Sequence, residues 1–294
     1  METAIIKYNF SRQLPIHGTL AVIARRGSGK SVLLLDILYR LRDRFDFGLA
    51  FTTTTPTADS FARYMPRACV YTDFSVDKIK LLLDEQELLV QKGKPRSVFL
   101  LLDDCGFDSK SMNSKPMKEL FMNGRHKYIT FMCALQSPHS LKPDMRQQLD
   151  VVVSLKDNIV ANRKRLHEAF YGAVSWHNFE RLFLAFTAEF GAIIVDQTVQ
   201  STDISNVIYH YKAEIDLPPF ICISRSYLKI WNQLKKSSRE VARLREKKID
   251  EERRRRIEIA ARESGAEPIH VAVRPEPTSR SASNPTALVV KSMY

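Results

Sequence analysis

Between Gly18 and about Glu214 the chain alternates short runs of apolar, β-branched and aromatic residues with longer stretches of helical periodicity. That alternation is the pattern of parallel strands joined by crossover helices, an α/β architecture. The runs predict strands over Thr19 to Ala24, Gly48 to Thr52, Ala68 to Tyr71, Val98 to Leu102, Ile129 to Leu135 and Val151 to Leu155. Their near-continuous hydrophobicity suits strands covered on both faces, hence a mainly parallel central sheet flanked by helices. After Val151 the pattern changes. Two helical stretches, Asn162 to Tyr171 and Ser175 to Thr187, lead to strand-like Ala192 to Asp196 and Val207 to Tyr211 with a polar turn between them, a hairpin added to the sheet edge. Beyond Pro218-Pro219 and the apolar Phe220 to Ile223 lies a charged helical segment, followed from Ser264 by a stretch rich in Pro, Ser and Thr. The predicted division is a main domain over 1–225, a basic charged helix over 226–263 and a disordered tail over 264–294.

Composition narrows the partners. With 294 residues, 44% of them hydrophobic, the chain can bury one substantial core. Lysine and arginine number 45 against 33 acidic residues, a formal charge of +12, which favours a polyanion such as nucleic acid or an anionic membrane surface. Lys229 to Glu263 alone holds 13 basic and 7 acidic residues, half of that excess. Cys69, Cys105, Cys133 and Cys222 each lie beside an apolar run without the spacing of a zinc site or redox pair, so they read as buried free thiols in a reducing compartment. The first residues lack the basic start and apolar stretch of a signal peptide, and no apolar run approaches the roughly 18 residues needed to span a bilayer. The expectation is a soluble, intracellular protein with no transmembrane segment.

The first predicted strand runs directly into Ala24, Arg25, Arg26, Gly27, Ser28, Gly29, Lys30 and Ser31, and then into the helical run Val32 to Leu38. Strand, glycine loop and helix in that order make a phosphate-binding loop of the P-loop NTPases. Gly27 and Gly29 allow backbone N–H groups to approach a β-phosphate closely, and the new helix points its positive end at the anion. Lys30 can reach the β- and γ-phosphates, and Ser31 can place its hydroxyl on Mg²⁺, which makes ATP and Mg²⁺ the implied cofactors. The usual pattern begins with glycine; Ala24 occupies that position here. Arg25 and Arg26 could touch phosphate or DNA, or stand as exposed, solvated arginines.

Val98 to Leu102 ends in two carboxylates. Asp103 would hold Mg²⁺ through its water shell, as hard oxygen ligands do, and Asp104 would orient or polarise the attacking water. Ile129 to Leu135 ends in Gln136, at the edge where strand C-termini face a ligand; its amide can donate to a γ-phosphate and accept from the lytic water.

These residues resemble the DNA-packaging ATPases of poxviruses and other large nucleocytoplasmic DNA viruses, in the FtsK–HerA branch of P-loop motors. The resemblance rests on Gly27 to Ser31, Leu101 to Asp104, Asn123-Gly124-Arg125-His126 and Gln136, and covers about Gly18 to Asp157. It implies an ATP-driven motor that translocates double-stranded viral DNA into a capsid. The motor would form a homo-oligomeric ring, hexamer or pentamer, working with capsid or portal proteins at the virus assembly site in the host cytoplasm or on the virion. In such rings an arginine of one subunit completes its neighbour's site, and Arg125, just past a glycine that reads as a helix stop, is the first candidate, ahead of Arg146. Asp104 is one methylene shorter than the Glu common in the wider superfamily.

From the residues alone other classes share the loop. A GTPase lacks support, because no Asn-Lys-x-Asp run is present to read guanine. A small-molecule kinase would show one acid rather than two after the second motif strand and an arginine-rich lid, for which Arg163, Lys164 and Arg165 are the only sign. A DNA helicase, or a basic DNA-coating protein with a degenerate nucleotide fold, is the remaining alternative.

Overall fold

The computed structural model of the chain describes residues 5–105, 109–201 and 203–263. Eight strands form one sheet: β1 (Thr19–Ile23), β2 (Phe47–Thr52), β3 (Val70–Tyr71), β4 (Val98–Asp103), β5 (Ile129–Leu135), β6 (Val151–Leu155), β7 (Gly191–Asp196) and β8 (Ile208–Lys212). Their spatial order is β3-β2-β4-β5-β1-β6-β7-β8. The pairings among β1 to β6 are parallel, and β7 joins antiparallel to β6 and to β8 as the predicted terminal hairpin. This is the mainly parallel sheet flanked by helices that the apolar runs imply.

The physical cause of the unbroken apolar strands is visible in β1. Leu20 and Val22 join a core cluster on one face with Leu33, Leu34 and Ile37 of the helix Lys30–Leu41. Ala21 and Ile23 face the other cluster, with Ile79 and Leu83 of the helix Val76–Gln91 and Phe179 and Phe183 of the helix Trp176–Phe186. Successive residues point to opposite faces, so a strand covered on both sides has no polar position left.

Several strand boundaries differ from expectation by one or two residues, and two of these shifts have a visible cause. Strand β3 begins at Val70 instead of Ala68, because Arg67–Cys69 forms a 3₁₀ turn in which the Cys69 N–H bonds back to the Pro66 carbonyl at 2.8 Å. Strand β8 begins at Ile208, since Val207 is in the right-handed helical region and closes the turn Ile204–Asn206 through its N–H to the Ile204 carbonyl. Gly124 also behaves differently from a helix-stopping glycine. It caps the helix Lys115–Asn123 in right-handed conformation (φ −54°), and the chain continues as a 3₁₀ turn that ends only at left-handed Tyr128. All four cysteines are buried free thiols.

One compact unit extends to Leu234 and a second begins at Lys235. In the first, Phe220, Cys222 and Ile223 are buried in the core, and Tyr227 stacks on Phe47 with ring centroids 5.0 Å apart. The described part of the second is helical, within Arg225–Glu263, and Leu244 and Ile249 are exposed on it. The predicted tail 264–294 lies outside the described residues. Among the described residues no helix is long and apolar enough to cross a membrane.

Candidate nucleotide site

The topology gathers the motif residues at one edge. β5 lies between β1 and β4, and the three run parallel, so the loop after β1, the carboxylates at the end of β4 and Gln136 after β5 emerge side by side. Ligands of open parallel sheets bind at this C-terminal edge.

The loop is built as its glycines suggest. Gly27 and Gly29 have φ of +78° and +91°, backbone that L side chains rarely adopt. Ala24 is buried and donates its N–H to the Leu135 carbonyl at 2.9 Å. It lies outside the left-handed region, which is why alanine serves where the usual pattern has glycine. Ser28 folds back to donate its hydroxyl to the Arg25 carbonyl at 2.6 Å, while Arg25 and Arg26 are exposed on the rim. Lys30 opens the helix and is only 6% exposed.

Three side chains converge on the paired acids. Lys30 Nζ lies 3.3 Å from Asp104 Oδ1, and the Gln136 amide donates to the same oxygen at 2.7 Å. Asp104 itself has φ of +47°, a left-handed conformation tolerable for Asp. The neighbouring Asp103 is buried, and its Oδ2 accepts the Ser31 hydroxyl at 2.8 Å. Burial holds the Asp103 carboxyl above the ordinary carboxylate range, opposed by the Ser31 hydrogen bond and the Lys30 charge. Its Oδ1 is buried with no hydrogen-bond partner among the described residues. A buried carboxylate oxygen left unpaired beside a serine hydroxyl is a hard-oxygen donor set that fits Mg²⁺ or its bound water.

Arg125 is placed elsewhere. It sits in the turn before β5 and pairs with Asp150, which precedes β6 and accepts the Thr19 N–H at 2.7 Å. This is the opposite end of the strands from the loop, roughly 15 Å away along the five residues of β1. Arg146, in the short helix Pro143–Arg146, is half-buried, and its Nε is buried without a partner among the described residues.

Sequence reasoning did not anticipate one wall of the site. A cavity of about 350 Å³ opens beside the loop, lined by Arg25 to Ser28 and by Lys156, Asn158, Glu189 and Phe190. Lys156 and Asn158 follow β6, the strand next to β1, so a polar pair just after a predicted strand was the available signal. Glu189 and Phe190 come from the turn before β7, where the sequence shows only the end of a helix.

No protein-family model matches the sequence. Protein 088R of invertebrate iridescent virus 3 is 26% identical over 196 residues, 66% of this chain and 75% of that protein. A protein of Acanthamoeba polyphaga mimivirus is also 26% identical, over 212 residues, 68% of this chain and 74% of its own length. Among solved structures, the genome packaging NTPase B204 from Sulfolobus turreted icosahedral virus 2, in complex with AMP, superposes with a TM-score of 0.52 at 15% identity, over 68% of this chain and all of that one. The chain therefore has the P-loop NTPase fold seen in a viral genome-packaging NTPase, and its sequence relatives are proteins of large DNA viruses.

Proposed function

We propose that the protein is an ATP-driven motor that translocates double-stranded viral DNA into a capsid, a genome-packaging ATPase. The observation that carries this reading is the convergence at the C-terminal edge of the sheet of Lys30 and Gln136 on Asp104 and of Ser31 on the adjacent Asp103. A glycine loop alone binds phosphate; a second acid and an amide beside it provide for hydrolysis. The fold shared with B204, which was solved in complex with AMP, AMPPCP and ATP-gammaS, and the viral relatives favour packaging over other uses of the loop.

Backbone N–H groups of Arg26 to Lys30 would cradle the β-phosphate, and the Lys30 ammonium would exchange Asp104 for the β- and γ-phosphate oxygens. Ser31 and Asp103 would hold Mg²⁺, whose charge offsets that of the phosphates. Freed from Lys30, Asp104 would accept a proton from a water aligned by Gln136 as its oxygen attacks the γ-phosphorus and the bond to the bridging oxygen of ADP breaks. Arg125 cannot serve its own loop from the far end of β1, so its proposed role is in a neighbouring subunit of a ring, where it would neutralise charge developing on the γ-phosphoryl group. The positive charge of the chain suits the DNA, and capsid or portal proteins are the further partners this reading implies.

ATP turnover with and without duplex DNA tests the proposal. Stimulation by duplex DNA, lost in Lys30→Ala, is the expected result. Turnover that ignores DNA but requires a small phosphate acceptor would replace the motor with a kinase.

A further inference from the structure

We infer that Phe190 is the platform on which the base of the bound nucleotide stacks, an inference that rests on the phosphate-loop reading above and adds the subsite for the base. Phe190 is 72% exposed, an unusual position for a large aromatic side chain among the charged and polar residues that line the cavity. The turn that presents it is held in a costly conformation: Glu189 and Phe190 have φ of +48° and +63°, in the region that bulky side chains avoid. The chain is tightly packed on either side of the turn. A Cβ on the next residue, Gly191, would lie 2.1 Å from the Phe186 carbonyl oxygen, so the chain passes too close to the preceding helix for any side chain. Thr187 locks the same helix end by donating its buried hydroxyl to the Phe183 carbonyl at 2.6 Å.

The direction of the ring gives this strain a use. A Cβ placed on Gly29 would lie 3.7 Å from Phe190 Cδ1, so the ring borders the phosphate loop itself. Ring and loop both line the cavity of about 350 Å³, within the range of about 300–1,000 Å³ typical of small-molecule pockets. Lys156 and Asn158 close its other wall from the end of β6. A nucleotide whose phosphates occupy the loop must place its nucleoside nearby, and this cavity offers a flat apolar face continuous with the cradle. The Glu189 carboxylate is engaged by Lys212 at 3.2 Å, which leaves the aromatic ring as the base-contacting element of the turn. Stacking tolerates any base, since each has a π-face, so the platform supplies affinity without choosing adenine over guanine.

Binding of a non-hydrolysable ATP analogue and of inorganic tripolyphosphate, measured calorimetrically on the full chain, separates the base from the phosphates. Phe190→Ala should weaken the analogue on the order of ten- to hundred-fold, the span that loss of base stacking produces, and leave tripolyphosphate affinity unchanged. Phe190→Trp should keep analogue affinity, and its added emission should respond to the analogue and not to tripolyphosphate. Equal analogue affinity in wild type and Phe190→Ala, whether or not the variant loses self-association, overturns the platform and leaves the phosphate loop standing. So does a parallel loss for both ligands. Wild-type protein that binds neither ligand overturns the loop reading and the platform together.

Discussion

Asp104→Asn should uncouple three properties that a simple loss of function would move together. In the structure one carboxylate oxygen of Asp104 receives Lys30 at 3.3 Å and Gln136 at 2.7 Å, with Lys30 6% and Asp104 33% exposed. The substitution keeps the shape and removes the charge, so the Lys30 ammonium loses its anion in a largely dry setting. Exposed pairs are worth a few tenths of a kcal/mol, whereas breaking a fully buried pair costs about 3–5 kcal/mol. With one partner a third exposed, the cost here is about 1–2 kcal/mol. In a unit of this size each kcal/mol moves Tm by about 2–4 °C, so the nucleotide-free protein should melt about 2–8 °C lower. The same energy returns as affinity. ATP must take Lys30 from Asp104 in the wild type but not in the variant, and at about 1.4 kcal/mol per tenfold, binding should tighten about five- to thirty-fold. Turnover should meanwhile fall about 10²–10⁴-fold, the usual contribution of a positioned base. Thermal melts with and without nucleotide, calorimetric binding and phosphate release read the three separately. An unchanged nucleotide-free Tm together with unchanged affinity would falsify the competition between Asp104 and phosphate for Lys30. Normal turnover would assign the water to another residue.

Burial raises the Asp103 carboxyl above its ordinary value of 3.8, so the folded chain keeps that proton longer than the unfolded one. This contribution lowers stability as pH rises from the unfolded value through the raised folded one, and Asp103→Asn should flatten Tm against pH in that window; a curve parallel to the wild type refutes the assignment. Arg125→Ala should retain ATP binding and lose turnover, and mixing it with Lys30→Ala should restore part of the activity, because some junctions then combine an intact loop with an intact arginine. Assembled rings without rescue would remove Arg125 from the neighbouring site and point to Arg146. Truncation after Leu234 retains the stack of Tyr227 on Phe47 and should leave basal turnover near normal, while the log–log salt slope of duplex binding shrinks by about 0.9 for each DNA phosphate that the shortened chain no longer neutralises. An unchanged slope would remove the charged helix from the DNA path.

The glycine loop was legible in the sequence because its parts are consecutive: a strand, two glycines that need positive φ, and a helix that begins at Lys30. The ends of β4 and β5 were legible for a related reason, since an apolar run covered on both faces stops where a polar group begins, at Asp103-Asp104 and Gln136. Even the remoteness of Arg125 from the loop is implicit in chain direction, because it precedes its strand instead of following it.

Strand order was not legible, and it decides what those groups do. Apolar runs of one composition carry no label for their neighbours; the placement of β5 between β1 and β4 comes from how the two helix layers pack on the sheet. That placement brings Lys30 and Gln136 to one oxygen of Asp104, across 74 and 32 residues of sequence. The turn at Glu189-Phe190 was hidden for the same reason. Its left-handed backbone accompanies the close passage of Gly191 against the helix Trp176–Phe186, a contact of the folded chain that no local preference announces. Local chemistry is written in consecutive residues, so the sequence by itself determined the loop, the acids and the strands; contacts between distant segments exist only after the layers pack, so the tertiary structure alone decided which side chains share an atom and which ring stands beside the loop.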